Sequence, residues 1–322
     1  MTQSLAAIPA QSPPTVAAAF APVTSLTQAQ EYTRTLAHSH YENFSVVSML
    51  LPRHLRQDFC NIYAFCRTAD DLGDETPDTD TALQLLDRFK DQTRACYAGQ
   101  ADTAVFTALA GTIRRHDIPI QPFLDLIDAF EQDQRIRRYD TFEQLADYCR
   151  RSANPVGRLV LYLCGHRDEQ RQNLSDQTCT GLQLANFWQD VRRDFLDLDR
   201  IYLPRDAMQK FGLSEHDLAR QIRENRCTDA ARNLIKFEVD RTQTFFDQGE
   251  QLLPLLDQTI RPQIRLFGRG GRAILSAIRR QNYDTLTQRP SLSKWQKGRL
   301  ILSSLPGVLL SKLRPRQGRG AA

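Results

Sequence analysis

The chain has 322 residues, of which 41% are hydrophobic and 25% charged, with a formal net charge of +4. That length and apolar content are enough to bury one sizeable core. No nucleic-acid recognition motif accompanies the basic stretches, so nucleic acid is not expected as a partner. In chain order, residues 1–25 are rich in Ala, Pro, Ser and Thr, and no charged residue precedes Glu31. A secretory signal needs a positive leading region, so this composition predicts a disordered N-terminal segment over 1–25. From residue 26 to 288, alternating β-branched runs are nearly absent and apolar residues recur at three and four, which predicts an all-α, single-domain fold.

Within that body, the run IYAFCRTADDLGDE places Tyr63, Arg67, Asp70 or Asp71, and Asp74 at steps of four, three and four. This is the spacing of one helix face. Ile62, Phe65 and Ala69 between them are apolar, as a helix packed into a core requires. Further on, Thr141 and Gln144 in TFEQLADYC fit a capping box that starts a helix leading to Tyr148. Asn154-Pro155 then predicts a break or kink shortly before Gly157. The run GLQLANFWQDVRRDF repeats the earlier spacing with Gln183, Asn186, Asp190 and Asp194 among Leu182, Leu184, Phe187, Trp188 and Val191. Residues 261–322 carry fourteen Lys or Arg against one acidic residue, Asp284. Over 289–322 this basic segment also holds Trp295, Leu300, Ile301, Leu302, Leu305, Leu309 and Leu310, a mixture suited to an anionic membrane surface. Its longest apolar stretch, LILSSLPGVLL, is too short and interrupted to span a bilayer. The seven cysteines lack CxxC spacing and read as reduced packing residues of a cytoplasmic protein, with the inner membrane surface as a peripheral contact.

The chemistry lies in the paired aspartates. Side chains four apart on a helix stack on one face, and like charges there weaken the helix unless a cation sits between them. Mg²⁺ suits such a place, because it takes one or two carboxylates, keeps several waters and shares substrate phosphate oxygens. Polar ridges on otherwise apolar helices must be satisfied by one another, by water or by a ligand. Both ridges are therefore expected to line one cavity. A solvated acidic face is the plain alternative for any single pair. His116-Asp117 is a weak hint of a metal phosphohydrolase, since no other histidine stands at supporting spacing. Glu-x-x-His pairs, a Walker loop, GxGxxG and GxSxG are all absent from the sequence, which removes di-iron, nucleotide and esterase readings.

Four segments in order carry a resemblance: HYENFSVVSMLLP at 40–52, YAFCRTADDLGDE at 63–75, YCRRSANPVG at 148–157 and GLQLANFWQDVRRDFLDLDRIYLPRD at 181–206. Together they resemble the squalene/phytoene synthase family of head-to-head prenyl transferases. HYENF and YCRRSANPVG look most like its hopanoid-pathway branch, which forms hydroxysqualene. The similarity runs from about residue 30 to about residue 285. It implies a class I isoprenoid synthase helical bundle around a central cavity, with the isoprenoid synthase domain over 26–288. It also implies two or three Mg²⁺ ions held by Asp70, Asp74, Asn186, Asp190 and Asp194. His40, Tyr41, Tyr63, Arg67, Gln183, Asn186 and Gln189 are then substrate-binding, and Tyr63, Tyr148, Asn186 and Gln183 catalytic. The implied reaction converts presqualene diphosphate to hydroxysqualene by loss of diphosphate and capture of water, without NADPH. Presqualene diphosphate or squalene synthesis from farnesyl diphosphate is the alternative, and a non-catalytic scaffold with the same fold a third. A prenyl diphosphate and neighbouring squalene-pathway enzymes are the implied partners. Some relatives carry a tyrosine near Leu275, so that residue's role does not carry over.

Overall fold

The computed structural model describes residues 14–39, 52–293, 295, 296 and 298. Every named element in them is a helix, and the only β pairings among them are two isolated bridges. The chain groups into two compact units, one running through Ile136 and the other from Arg137.

The first unit contains α1 (Pro14–Ala19), α2 (Leu26–Ser39), α3 (Arg56–Asp74), α4 (Thr79–Tyr97), α5 (Ala104–His116) and α6 (Gln121–Asp133). Four phenylalanines from four helices make its centre. Phe65 meets Phe89 at 5.0 Å and Phe123 at 4.8 Å, and Phe89 meets Phe106 at 4.8 Å. All four are almost wholly buried, and tilted or edge-on rings at these distances add to their burial. Part of the segment expected to be disordered over 1–25 is structured, since α1 begins at Pro14. Val16, Ala19 and Phe20 are buried, Phe20 lies edge-on to Phe89, and the Arg88 guanidinium sits 4.2 Å from the Phe20 centroid. The four-residue step from Val16 to Phe20 gives α1 an apolar face, which outweighs its lack of charge; residues 1–13 lie outside those described.

A buried polar chain ties α2, α3 and α5 together. Thr33 Oγ1 donates to Asn61 Oδ1 (2.7 Å), while Asn61 Nδ2 donates to the Ala108 carbonyl (3.1 Å) and to Thr112 Oγ1 (3.0 Å). Asp58, 2% exposed, accepts from Thr112 (2.8 Å) and Arg115 (2.6 Å) and lies 2.9 Å from His116 Nε2. His116 and Asp117 therefore have structural places. His116 meets Asp58, and Asp117 closes α5 in the left-handed region at φ 50°.

The second unit is organised on α9 (Glu169–Leu198), thirty residues long. Before it come α7 (Phe142–Ser152) and α8 (Asn154–Leu163); after it come α10 (Arg205–Lys210), α11 (Glu215–Arg223), α12 (Asp229–Gly249) and α13 (Arg261–Arg280). The predicted cap forms at Thr141, whose hydroxyl accepts from the Gln144 amide, while the Gln144 side chain reaches back to Asp140 N–H (2.8 Å). The predicted break falls at Ala153, between α7 and α8. Gly157 then lets α8 lie close on α9, since a Cβ there would stand 2.4 Å from Cys179 Sγ and 2.5 Å from Ser175 Oγ. Arg158 forks onto Asp176 at 3.0 and 2.6 Å beside that crossing. On another side of α9, Trp188 is fully buried and donates to Thr242 Oγ1 of α12 at 2.7 Å.

Burial alone would raise the Asp58 pKa, but the hydrogen bonds from Arg115, His116 and Thr112 outweigh it and hold the carboxyl below its ordinary value. A carboxylate with a depressed folded pKa stabilises above its unfolded pKa and loses that contribution as pH falls through the folded one. Asp58→Ala leaves three donors without their acceptor, and the expected cost at pH 7 is about 2–3 kcal/mol. Urea titrations of both proteins at pH 7 and in steps below pH 4 check this: the gap is expected to narrow as the medium is acidified.

Candidate active site

In α3 the predicted ridge forms. Arg67 stands amid three carboxylates of its own helix end, 3.2 Å from Asp70 Oδ2, 3.3 Å from Glu75 Oε1, and in close contact with Asp71 Oδ1. Asp71 is buried, whereas Asp70 is partly accessible and Asp74 exposed. The choice between Asp70 and Asp71 thus resolves by division. Asp71 takes the inward place against the guanidinium, and Asp70 and Asp74 lie one turn apart with oxygens reachable from solvent. Burial works against the Arg67 charge, but Asp71, Asp70, Tyr63 and Glu75 more than offset it and raise the Arg67 pKa. Tyr63 is half-buried one turn before Arg67. His40 and Tyr41 lie outside the described residues.

In α9, Asn186 is exposed, Gln183 half-buried and Asp190 mostly covered, with 14% of its side chain accessible. Asp190 is paired with Arg289, whose Nη2 lies 3.0 Å from Oδ2 and whose Nε closely contacts Oδ1. Asp194 lines a small recess with Phe187, Val191, Arg200, Ile201, Tyr202 and Leu203. Burial, and then the neighbouring Asp190 charge, push the Asp194 carboxyl up to about 7 despite Arg193, Arg200 and Arg289. Burial of the carboxyl, more than any one charge, sets that direction.

Two of the residues lining this recess, Phe187 and Tyr202, belong to an aromatic wall. Phe187 and Tyr202 stack face to face at 3.7 Å and 10°, Tyr148 lies 6.2 Å from Phe187 and 6.1 Å from Tyr202, and Tyr139 lies 5.6 Å from Tyr148. Tyr148 is 3% exposed, so the expected catalytic tyrosine is embedded in the wall. Tyr202 arrives there because α9 ends at Asp199 in the left-handed region, at φ 51°. The chain then pairs Ile201 N–H with the Arg137 carbonyl (2.9 Å), and Arg138 clamps Asp199 and Glu215 at 2.8 Å each. Gln189, expected to bind substrate, lies off the ridge. It is 5% exposed, and its side-chain amide donates to the Pro290 carbonyl at 2.6 Å. One residue turns a helix by about 100°, which carries Gln189 off the face shared by Gln183, Asn186, Asp190 and Asp194.

The donors fit Mg²⁺ by their chemistry. Hard carboxylate oxygens stand one turn apart in each helix, the kind of ligand this cation takes. Among the described residues no three or more His, Cys, Asp or Glu converge as a metal cluster. The two carboxylates that Mg²⁺ needs do not amount to such a cluster.

The squalene/phytoene synthase family model matches residues 37–296. The chain belongs to the squalene/phytoene synthase family. It is 30% identical over 298 residues to the 15-cis-phytoene synthase of Synechococcus elongatus, covering 89% of this chain and 94% of that one. The solved squalene synthase HpnC from Alicyclobacillus acidocaldarius is 49% identical, with a TM-score of 0.75 over 80% of this chain and 95% of its own. A dehydrosqualene synthase shares the fold at 22% identity, with a TM-score of 0.78 over 88% of this chain and 98% of its own. The all-α class I isoprenoid synthase fold expected from the sequence is thereby established. Family members are enzymes, and the quoted Asp segments lie within the matched span.

Beyond Asp71, which stood as the alternative to Asp70, the site neighbours that sequence reasoning left out are Glu75, Tyr139, Tyr202, Arg200 and Arg289. Only Asp71 and Glu75 carried a local signal, as acidic residues four and eight after Arg67. Arg67→Ala leaves buried Asp71 without its guanidinium, with an expected loss of about 2–4 kcal/mol that shrinks at high salt. Arg67→Lys keeps the charge without the fork and is expected to fall between. Thermal unfolding at low and high ionic strength measures both.

Proposed function

We infer that the protein converts presqualene diphosphate to hydroxysqualene, releasing diphosphate and taking up water, on a route to squalene and hopanoids. The observation that carries this reading is the α9 ridge ending at Asp194, whose recess is lined by Phe187 and Tyr202 of the Tyr148–Phe187–Tyr202 wall. The 49% likeness to a squalene synthase supports substrates of squalene rather than phytoene type. HYENF and SANPVG favour the hydroxysqualene branch within that type.

Asp70, Asp74, Asn186, Asp190 and Asp194 would hold two or three Mg²⁺ ions. When bound, Mg²⁺ supplies charge neutralisation and orientation to a diphosphate leaving group. Arg67, its fork already turned toward Asp70 and Glu75, can add a bidentate contact to a phosphate. Departure of diphosphate leaves a cyclopropylcarbinyl cation, whose lifetime depends on exclusion of stray nucleophiles. The aromatic wall offers π faces to that cation, and Tyr63 would serve from α3. Gln183 and exposed Asn186 can orient the water that closes the reaction. The water oxygen forms the new C–O bond and its proton passes to solvent or to the departing diphosphate. His40, Tyr41 and Gln189 remain substrate-side proposals, Gln189 acting only through the Pro290 segment it holds.

No described helix is long and apolar enough to cross a membrane. Trp295, 90% exposed at the start of the basic C-terminal segment, supports a peripheral contact with anionic lipid.

Presqualene diphosphate incubated with the protein and Mg²⁺, without NADPH, is expected to give an alcohol that gains mass in ¹⁸O-labelled water. A product formed only with NADPH and identified as squalene would favour the reductive reaction. Accumulation of presqualene diphosphate from farnesyl diphosphate would assign the first condensation step instead. No turnover of either diphosphate would favour a scaffold.

A further inference from the structure

The segment after α13 is fastened to α9 by three consecutive kinds of contact. Arg192 Nη1 donates to the Leu286 carbonyl (3.0 Å), Gln189 Nε2 donates to the Pro290 carbonyl (2.6 Å), and between these anchors Arg289 forks onto both oxygens of Asp190. Thr285 and Leu286 at the base of the strap are wholly buried. Thr287 is held at Asp284, its amide 3.0 Å from Oδ1 and its hydroxyl 2.8 Å from Oδ2. The strap therefore has a fixed root, and its guanidinium lies on one member of the α9 carboxylate pair.

A bidentate guanidinium satisfies both oxygens of a carboxylate in its plane. A divalent cation drawn to the same carboxylate meets a positive charge already there, and two cations a few ångströms apart repel. We propose that Arg289 is a placeholder cation for Asp190, so that metal loading of the α9 pair and seating of the 285–293 strap are mutually opposed. With metal absent, Arg289 keeps Asp190 neutralised and the strap down. Metal at Asp190 and Asp194 displaces the fork, and the strap loses one of its three fastenings while Arg192 and Gln189 keep the rest. Arg289 is a positioning residue here, setting metal affinity through Asp190. The inference rests on the metal-ligand reading of Asp190 and Asp194.

The test isolates the α9 pair by placing Asp70→Asn and Asp74→Asn in the full-length chain, then titrates Mn²⁺ by electron paramagnetic resonance without prenyl diphosphate. Adding Arg289→Gln is expected to tighten Mn²⁺ binding roughly tenfold, the equivalent of about 1.4 kcal/mol. Arg289→Lys, a point charge without the fork, is expected to give an intermediate affinity. In the unaltered protein, Mn²⁺ is expected to speed amide hydrogen exchange across residues 286–293, a readout that holds even if a variant folds poorly. Equal or weaker Mn²⁺ affinity in Arg289→Gln, or exchange over 286–293 unchanged or slowed by the metal, would overturn the placeholder role and leave the ligand reading standing. No Mn²⁺ bound by any of these proteins, or binding that survives Asp190→Asn, would remove the ligand reading itself.

Discussion

Stacked carboxylates on helices that are otherwise apolar impose the constraint from which the rest follows. A helix cannot carry two or three negative charges on one face, half covered, without positive charge close by. The two units meet this demand differently. In α3 the compensation is local, because Arg67 gathers Asp70, Asp71 and Glu75 within two turns. In α9 it is remote and incomplete. Arg289 comes from ninety-nine residues away to cover Asp190, and Asp194 is left with its carboxyl pushed up to about 7. Two carboxylates one turn apart, one of them tied to a distant arginine and both largely covered, are a poor arrangement for stability alone. It suits a site whose remaining charge arrives with a ligand.

The scaffolding around α9 is arranged to keep that pair in place. Trp188 and its bond to Thr242 fix the rotation of the helix on one side, and the Gly157 contact fixes it on another. With the helix held, Phe187 and Asp194 are kept at the recess, and the left-handed turn at Asp199 brings Tyr202 back onto Phe187. Carboxylate, aromatic wall and strap thus share one rigid element. A small rotation of α9 would disturb all three together.

Much of this was legible in the sequence, and what was not has a physical reason. The three- and four-residue steps through Tyr63, Arg67, Asp70 and Asp74, and through Gln183, Asn186, Asp190 and Asp194, reported the ridges because helix periodicity is local. The choice between Asp70 and Asp71 depended on which neighbour covered the helix, which periodicity does not encode. Arg289 and Tyr202 escaped because their places are set by a long-range strap and by a turn after a left-handed residue. The Gln189 bond to Pro290 escaped notice because it joins residues far apart in the chain, on a face about 100° from that of Asp190. In the N-terminal region, composition suggested disorder while the Val16-to-Phe20 step held the helix signal. His40, Tyr41 and most of the basic C-terminal segment lie outside the described residues, and their roles rest on sequence.

The central claim is that the aspartate pairs hold divalent metal for a prenyl diphosphate. The most direct measurement compares Asp70→Ala and Asp190→Ala with the unaltered chain in two respects, thermal midpoint without metal and turnover of presqualene diphosphate with Mg²⁺. The account predicts turnover lower by several orders of magnitude with the fold intact, its midpoint unchanged or shifted by only a few degrees, since each substitution removes a like charge as well as an ion pair. Near-normal turnover in either variant, in an assay that still fails in EDTA, would contradict it.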